Sequence, residues 1–129
     1  MGLFSNVFGS SENQNTSNGT VNWIHLTDLS QLDEIVTLSD NKPIVIFKHS
    51  TRCSVSRFAL KQFESEYDLT DRVDAYFLDL LEYRVISNEI ASRFGVYHQS
   101  PQLLLIKEGT SVYDVSHSEI NARELKGKL

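Results

Sequence analysis

Residues 49–56 read His-Ser-Thr-Arg-Cys-Ser-Val-Ser and hold the only cysteine of the chain, Cys53. The chemistry open to a lone thiol is attack on a disulfide, which the thiolate performs and the thiol does not. Two features of this stretch favour the anion. Cys53 stands between the apolar run Ile44 to Phe47 and a helix-like stripe that begins at Val55, so it falls at a strand-to-helix junction. The unpaired N–H groups and the dipole of a helix start stabilise an adjacent negative charge. Arg52 is the immediate neighbour, Lys48, His49 and Arg57 are close by, and no acid follows until Glu64, although the net charge of the chain is −5. A lone cysteine is also often just a small buried apolar residue. The polar neighbours Ser50, Thr51, Arg52, Ser54 and Ser56 argue against burial here.

A second candidate is Ser100-Pro101, directly ahead of the apolar run Leu103 to Ile106. On pattern alone this reads as a trans proline at a strand entry, because only about 5% of X–Pro bonds in folded proteins are cis. The four histidines, His25, His49, His98 and His117, show no H-x-x-x-H spacing, and one cysteine excludes both an internal disulfide and a C-x-x-C zinc site. No metal and no tightly bound cofactor is expected. The acidic balance and scattered Lys and Arg argue against a nucleic-acid partner. No apolar run approaches the roughly 20 residues that span a bilayer. The first eight residues lack a basic n-region and a long apolar core, and Asn6 breaks the myristoylation pattern, so a cytoplasmic protein is expected.

The elements that must position these residues follow from periodicity. With 129 residues, 40% of them hydrophobic, one domain is expected. Residues 9–20 contain no large apolar side chain, so residues 1–20 read as a flexible leader and 21–129 as the domain. Val21, Trp23 and His25 alternate along a short strand. Asp28 opens a helix with Gln31 as capping-box partner and Leu29, Leu32 and Val36 as its apolar stripe. Pro-Ile-Val-Ile-Phe-Lys is a central strand, and Val55, Phe58, Ala59, Phe63 and Tyr67 mark the next helix. A strand over 74–80 precedes a helix with Ile86, Ile90 and Phe94 inward and Gly95 at its left-handed end. Leu103 to Ile106, a Glu-Gly-Thr turn and Ser111 to Val115 make a hairpin, and Ser116 with Glu119 predicts a last helix from about Ser118. The order β-α-β-α-β-α-β-β-α predicts an α/β fold, a mixed five-stranded sheet with helices on both faces.

This constellation, C-x-x-S at a helix start and then Ser-Pro ahead of a hairpin and a final helix, resembles the thioredoxin fold with an added β-α unit in front, over about residues 21 to 127. More narrowly, Phe-Lys-His-Ser-Thr-Arg-Cys-Ser-Val-Ser, His-Gln-Ser-Pro-Gln and Ser116-His117 resemble the monothiol bacilliredoxin family, the YtxJ-type thioredoxin-like proteins linked to bacillithiol. The resemblance implies that Cys53 is the redox cysteine, which takes bacillithiol from an S-thiolated protein onto itself. It places Ser56 where dithiol thioredoxins keep a resolving cysteine, so an external thiol must reduce the adduct. Pro101 matches the cis-proline beside the site, and the backbone of Ser100 would pair with the substrate. His49, Thr51 and Arg52 would stabilise the thiolate or shape its loop, and His117 would lie on the substrate side. The chain departs from the family in carrying Ser54 where Pro often follows the cysteine, and Phe47 where many thioredoxins bury an acid.

The expected function is that of a monomeric monothiol disulfide reductase with a low-molecular-weight thiol as co-substrate. The same chemistry with glutathione, or a non-catalytic thioredoxin-like module that binds an extended peptide at Ser100-Pro101, are the alternatives.

Overall fold

The structure, a computed structural model, describes residues 21–129; the leader expected over 1–20 lies outside the described residues. The elements run β1 (Trp23–His25), α1 (Ser30–Leu38), β2 (Ile44–His49), α2 (Ser54–Glu66), β3 (Asp74–Asp79), α3 (Arg84–Phe94), β4 (Gln102–Lys107), β5 (Thr110–Ser116) and α4 (Ala122–Lys126), with a 3-10 turn at His117–Glu119. Strand order across the sheet is β1-β3-β2-β4-β5. β1 and β2 run parallel to β3, whereas β4 is antiparallel to both β2 and β5. The mixed five-stranded sheet expected from the sequence is therefore present.

β2 is central because its side chains suit burial on both faces. Val45 and Phe47, with Leu103 and Leu105, pack against Ala59 and Phe63 of α2 and Leu125 of α4. Ile44 and Ile46, with Leu104 and Ile106, pack against Leu32 and Ile35 of α1 and Ile86 and Ile90 of α3. Each such side chain contributes about 1.5–3 kcal/mol on full burial. Edge strand β1 is held by Trp23, whose ring lies 5.6 Å from Phe77, 5.9 Å from Phe47 and 6.0 Å from Phe63. Its indole N–H donates to Glu64 Oε2 at 2.7 Å, which satisfies the one polar atom that this packing would otherwise strand. His25, expected to alternate inward with Trp23, is exposed, with its ring centroid 5.4 Å from that of Phe77.

The capping expected at Asp28 is in place, since its Oδ1 accepts from Ser30 N at 2.8 Å and Gln31 Oε1 accepts from Asp28 N at 3.0 Å. The regular helix nevertheless starts at Ser30. The first turn is tighter, with Gln31 N bonded to Asp28 O and Leu32 N to Leu29 O. That winding turns Leu29 into solvent and leaves Leu32 and Ile35 as the buried stripe. Gly95 ends α3 at φ 66° as expected. The hairpin turn is two residues rather than three: Glu108 and Gly109 both have positive φ, 51° and 77°, which suits the twist of the flanking strands. It docks on the end of α1, where Ser39 Oγ accepts from Gly109 N at 2.8 Å.

The last helix corrects the sequence reading. Ser116 makes no side-chain cap, because it is the final residue of β5 and pairs with Gln102. Asn121 is the cap instead, with Oδ1 accepting from Arg123 N at 2.8 Å and Glu124 N at 3.0 Å. Replacing Asn121 with Ala should therefore lower unfolding free energy by about 1 kcal/mol, whereas Ser116→Ala should stay within about 0.5 kcal/mol of the parent. Urea denaturation of the two variants distinguishes these caps, and equal losses would contradict the assignment.

Candidate active site

Cys53 is the N-cap of α2, in extended conformation at φ −106° and ψ 123°, as the strand-to-helix junction requires. Cys53 N donates to Ser50 O at 3.2 Å and Arg57 N donates to Cys53 O at 3.0 Å, so the turn before it and the helix after it both fix its backbone. The residue is half-buried, and its side chain makes no capping hydrogen bond. The first turn of α2 holds no acid, Thr51 and Arg52 are exposed, and the Arg57 guanidinium reaches back to Thr51 O at 3.3 Å. Of the cations expected near Cys53, Arg52 and Arg57 stand on this loop and helix, whereas Lys48 is directed to His98 and Gln102.

Ser56 and His49 support that loop from below. Ser56 is fully buried; its Oγ accepts from Ser50 N at 3.0 Å and lies 2.8 Å from His49 Nδ1. Burial lowers the His49 pKa below 6.5; Asp79 opposes this and Arg57 reinforces it. A neutral ring can pair with the Ser56 hydroxyl in either tautomer, as acceptor or donor at Nδ1, and in both the hydroxyl oxygen can also accept the Ser50 amide. His49, expected to stabilise the thiolate or shape its loop, is buried and contacts that loop through Ser56.

The strand register brings the other candidates to the same end of the sheet. Lys48 pairs with Gln102, and Gln102 pairs with Ser116, so Ser100-Pro101 and His117 both follow from the end at which β2 stops. The Ser100–Pro101 bond is cis, not the trans form that pattern alone favours. His117 N donates to Pro101 O at 3.0 Å, which ties the end of β5 to the proline. His117 holds φ at 56°, an uncommon left-handed conformation for a residue other than glycine. Ser100 Oγ is buried and has no hydrogen-bond partner among the described residues.

Two side chains of the stripe that marks α2 in the sequence lie outside the core. Val55 is 52% and Phe58 71% exposed, and with Gln62, His117 and Ser118 they line a groove of about 220 Å³ between α2 and the 3-10 turn. The buried face of α2 is Ser56, Ala59 and Phe63. Both stripes share Ala59 and Phe63 at helical spacing, so periodicity could not choose between them; the buried serine decides the rotation.

Sequence reasoning noticed Lys48 only as a nearby cation and passed over Gln102. Lys48 is fully buried; its Nζ lies 2.8 Å from His98 Nδ1 and donates to Gln102 Oε1 at 3.0 Å. Burial lowers its pKa from 10.5 to about 8. Gln102 Nε2 in turn donates to Tyr97 O at 2.9 Å. The only local signal is a lysine that directly continues an apolar central strand, a pattern shared with ordinary solvated strand ends.

A family model described as monothiol bacilliredoxin BrxC matches residues 24–125. Among solved structures, a protein of thioredoxin fold ascribed to the oxidoreductases is 31% identical, with 81% of this chain and 91% of that chain covered and a TM-score of 0.70. Thioredoxin h from Nicotiana alata matches at 23% identity, with 88% and 95% covered and a TM-score of 0.66. A poplar thioredoxin h mutant matches at 16% identity, with 89% and 85% covered and a TM-score of 0.66. The fold is that of thioredoxin, with β1 and α1 ahead of β2. No helix among the described residues is long and apolar enough to cross a membrane.

Both supporting histidines have lowered pKa values, His49 as described and His98 through burial, to which Lys48 and Arg84 add. A folded chain therefore keeps these rings neutral where the unfolded chain, with histidines near 6.5, already protonates. The unfolded state binds more protons in that window, so stability is complete above pH 6.5 and is lost as pH falls from there towards the folded-state values. The urea midpoint should fall between about pH 7 and about pH 5.5, and His49→Gln should make that fall shallower. An identical slope in the variant would remove His49 from the effect.

Proposed function

The chain belongs to the monothiol bacilliredoxin family, and from that premise we propose that it removes a low-molecular-weight thiol, bacillithiol, from S-thiolated proteins by exchange at Cys53. The coarser activity, thiol–disulfide oxidoreduction, follows from the family and the fold. The observation that carries the finer reading is the placement of a half-buried thiol at the N-cap of a 13-residue helix, at the sheet end that also carries the cis-proline.

In the first step the Cys53 thiolate attacks the bacillithiol sulfur of the mixed disulfide. A bond forms from Cys53 to that sulfur, the old S–S bond breaks, and the protein's cysteine leaves as a thiolate that takes a proton from water. The substrate is reduced and the enzyme carries the adduct. A second thiol, acting as its thiolate, then displaces Cys53 from the adduct and restores it. Both electrons pass between sulfurs, so the reaction needs no resident cofactor. Ser56 cannot shortcut the second step, because its hydroxyl is not a competent nucleophile towards a disulfide and is engaged with Ser50 N and His49. Arg52 is exposed on the loop that carries Cys53 and Arg57 reaches back to Thr51 O, so both cations are available to the carboxylates of an incoming thiol. Ser100 offers its backbone to the extended substrate segment, and the Val55–Phe58 groove offers apolar surface beside it.

Cys53→Ala should abolish release of bacillithiol from a model S-bacillithiolated protein, read by intact mass. Ser56→Cys should change the end product: the adduct should leave as a disulfide closes between positions 53 and 56, giving a protein lighter by two hydrogens rather than heavier by the thiol. Retained activity in Cys53→Ala would sink the proposal. Glutathionylated protein supplied in parallel separates the two thiols, since a preference for it would replace bacillithiol in this reading.

A further inference from the structure

We infer that Lys48 is a positioning residue that holds the Ser100–Pro101 segment in place for the thiolated protein, acting through His98 and Gln102. The inference rests on the reading of that segment as the substrate's docking edge. Residues 97–102 form a short loop whose two ends meet at one amine. Lys48 Nζ is 2.8 Å from His98 Nδ1 near the start of the loop and donates to Gln102 Oε1, 3.0 Å away, at its end. Gln102 closes the circuit by donating from Nε2 to Tyr97 O at 2.9 Å. Ser100 and Pro101 are carried between these points.

The chemistry of a buried amine makes this a firm hold. Lys48 is fully buried, and among the described residues no carboxylate forms an ion pair with it. Its charge must therefore be met by neutral acceptors, and two of the three ammonium donors are committed to the loop. Burial lowers the amine only to about 8, so it remains largely charged at neutral pH and keeps both donors. The bond to Nδ1 also requires a neutral His98 with its proton on Nε2, and burial, Lys48 and Arg84 all lower the His98 pKa in that direction. Ser87 Oγ lies 3.4 Å from the same nitrogen, so α3 adds a second, weaker approach. A cation placed simply for stability would be expected beside a carboxylate. This one faces only the groups that shape a loop.

Lys48→Met keeps the length of the side chain and removes its donors, and His98→Ala removes the acceptor from an exposed residue that the core does not need. With S-bacillithiolated protein as substrate, both variants should raise KM about tenfold while kcat stays within about twofold, because docking weakens and the exchange step does not. Alkylation of Cys53 by iodoacetamide, which needs no docking, should proceed at the parent rate in both. Amide hydrogen exchange at residues 97–102 should accelerate in Lys48→Met relative to the parent. An unchanged KM in a folded variant overturns the inference, as does an alkylation rate that falls in step with kcat/KM, since Lys48 would then act on the thiol. If Lys48→Met does not fold, His98→Ala decides by the same readouts. An inactive parent would refute the function assigned to Cys53, and unchanged exchange in the loop would separately refute the hold by Lys48.

Discussion

A strand sends successive side chains to opposite faces, and at the carboxyl end of β2 this simple alternation separates Lys48 from His49. Both are buried and both are polar, so each must find partners within its own layer. His49 turns towards α2 and meets Ser56, which holds the loop that carries Cys53. Lys48 turns towards α3 and meets His98 and Gln102, which frame the loop that carries Pro101. One dipeptide thus supports the Cys53 loop from one side of the sheet and the Pro101 loop from the other. The hydrocarbon layers on either face supply the low-dielectric surroundings in which those few hydrogen bonds become decisive.

Ser56, at the position where the resemblance to dithiol thioredoxins implies a resolving cysteine, is structural here. In a dithiol protein this position supplies a second sulfur. Here an oxygen occupies it, accepts the amide of Ser50 and reaches the His49 ring, contacts that sulfur would make only weakly. Phe47 makes a comparable exchange. Many thioredoxins bury an acid at this point, whereas Phe47 is fully buried with its ring 5.9 Å from Trp23 and 5.6 Å from Phe63. The added strand β1 supplies Trp23, so the front unit and the loss of the acid are parts of one packing arrangement.

Much of this was legible in the amino-acid sequence because the strands are strongly apolar and their connections are marked by charge and turn residues. Ile44 to Phe47 could only be central, and the step from period two to a three-or-four spacing located Cys53 at the helix start. The rotation of α2 was not legible because local patterns underdetermine which of two equivalent faces turns inward. Phe58 and Val55 matched the helical stripe as well as Ser56 did, and a buried serine is not predictable without its histidine. The Ser116–Glu119 capping pattern does not cap the last helix because the β5 backbone already pairs Ser116 with Gln102, and Asn121 caps it instead. The Lys48 cluster was invisible for a different reason. Its partners lie 50 and 54 residues away, and only the antiparallel register of β2 and β4 brings them together.

The sheet order places β2 in the middle, with β3 and β1 on one flank and β4 and β5 on the other. Backbone in such a position opens to solvent only when the whole domain comes apart, while peripheral segments open on their own at far lower cost. Both supports of the site are therefore rooted in the part of the molecule that breathes least.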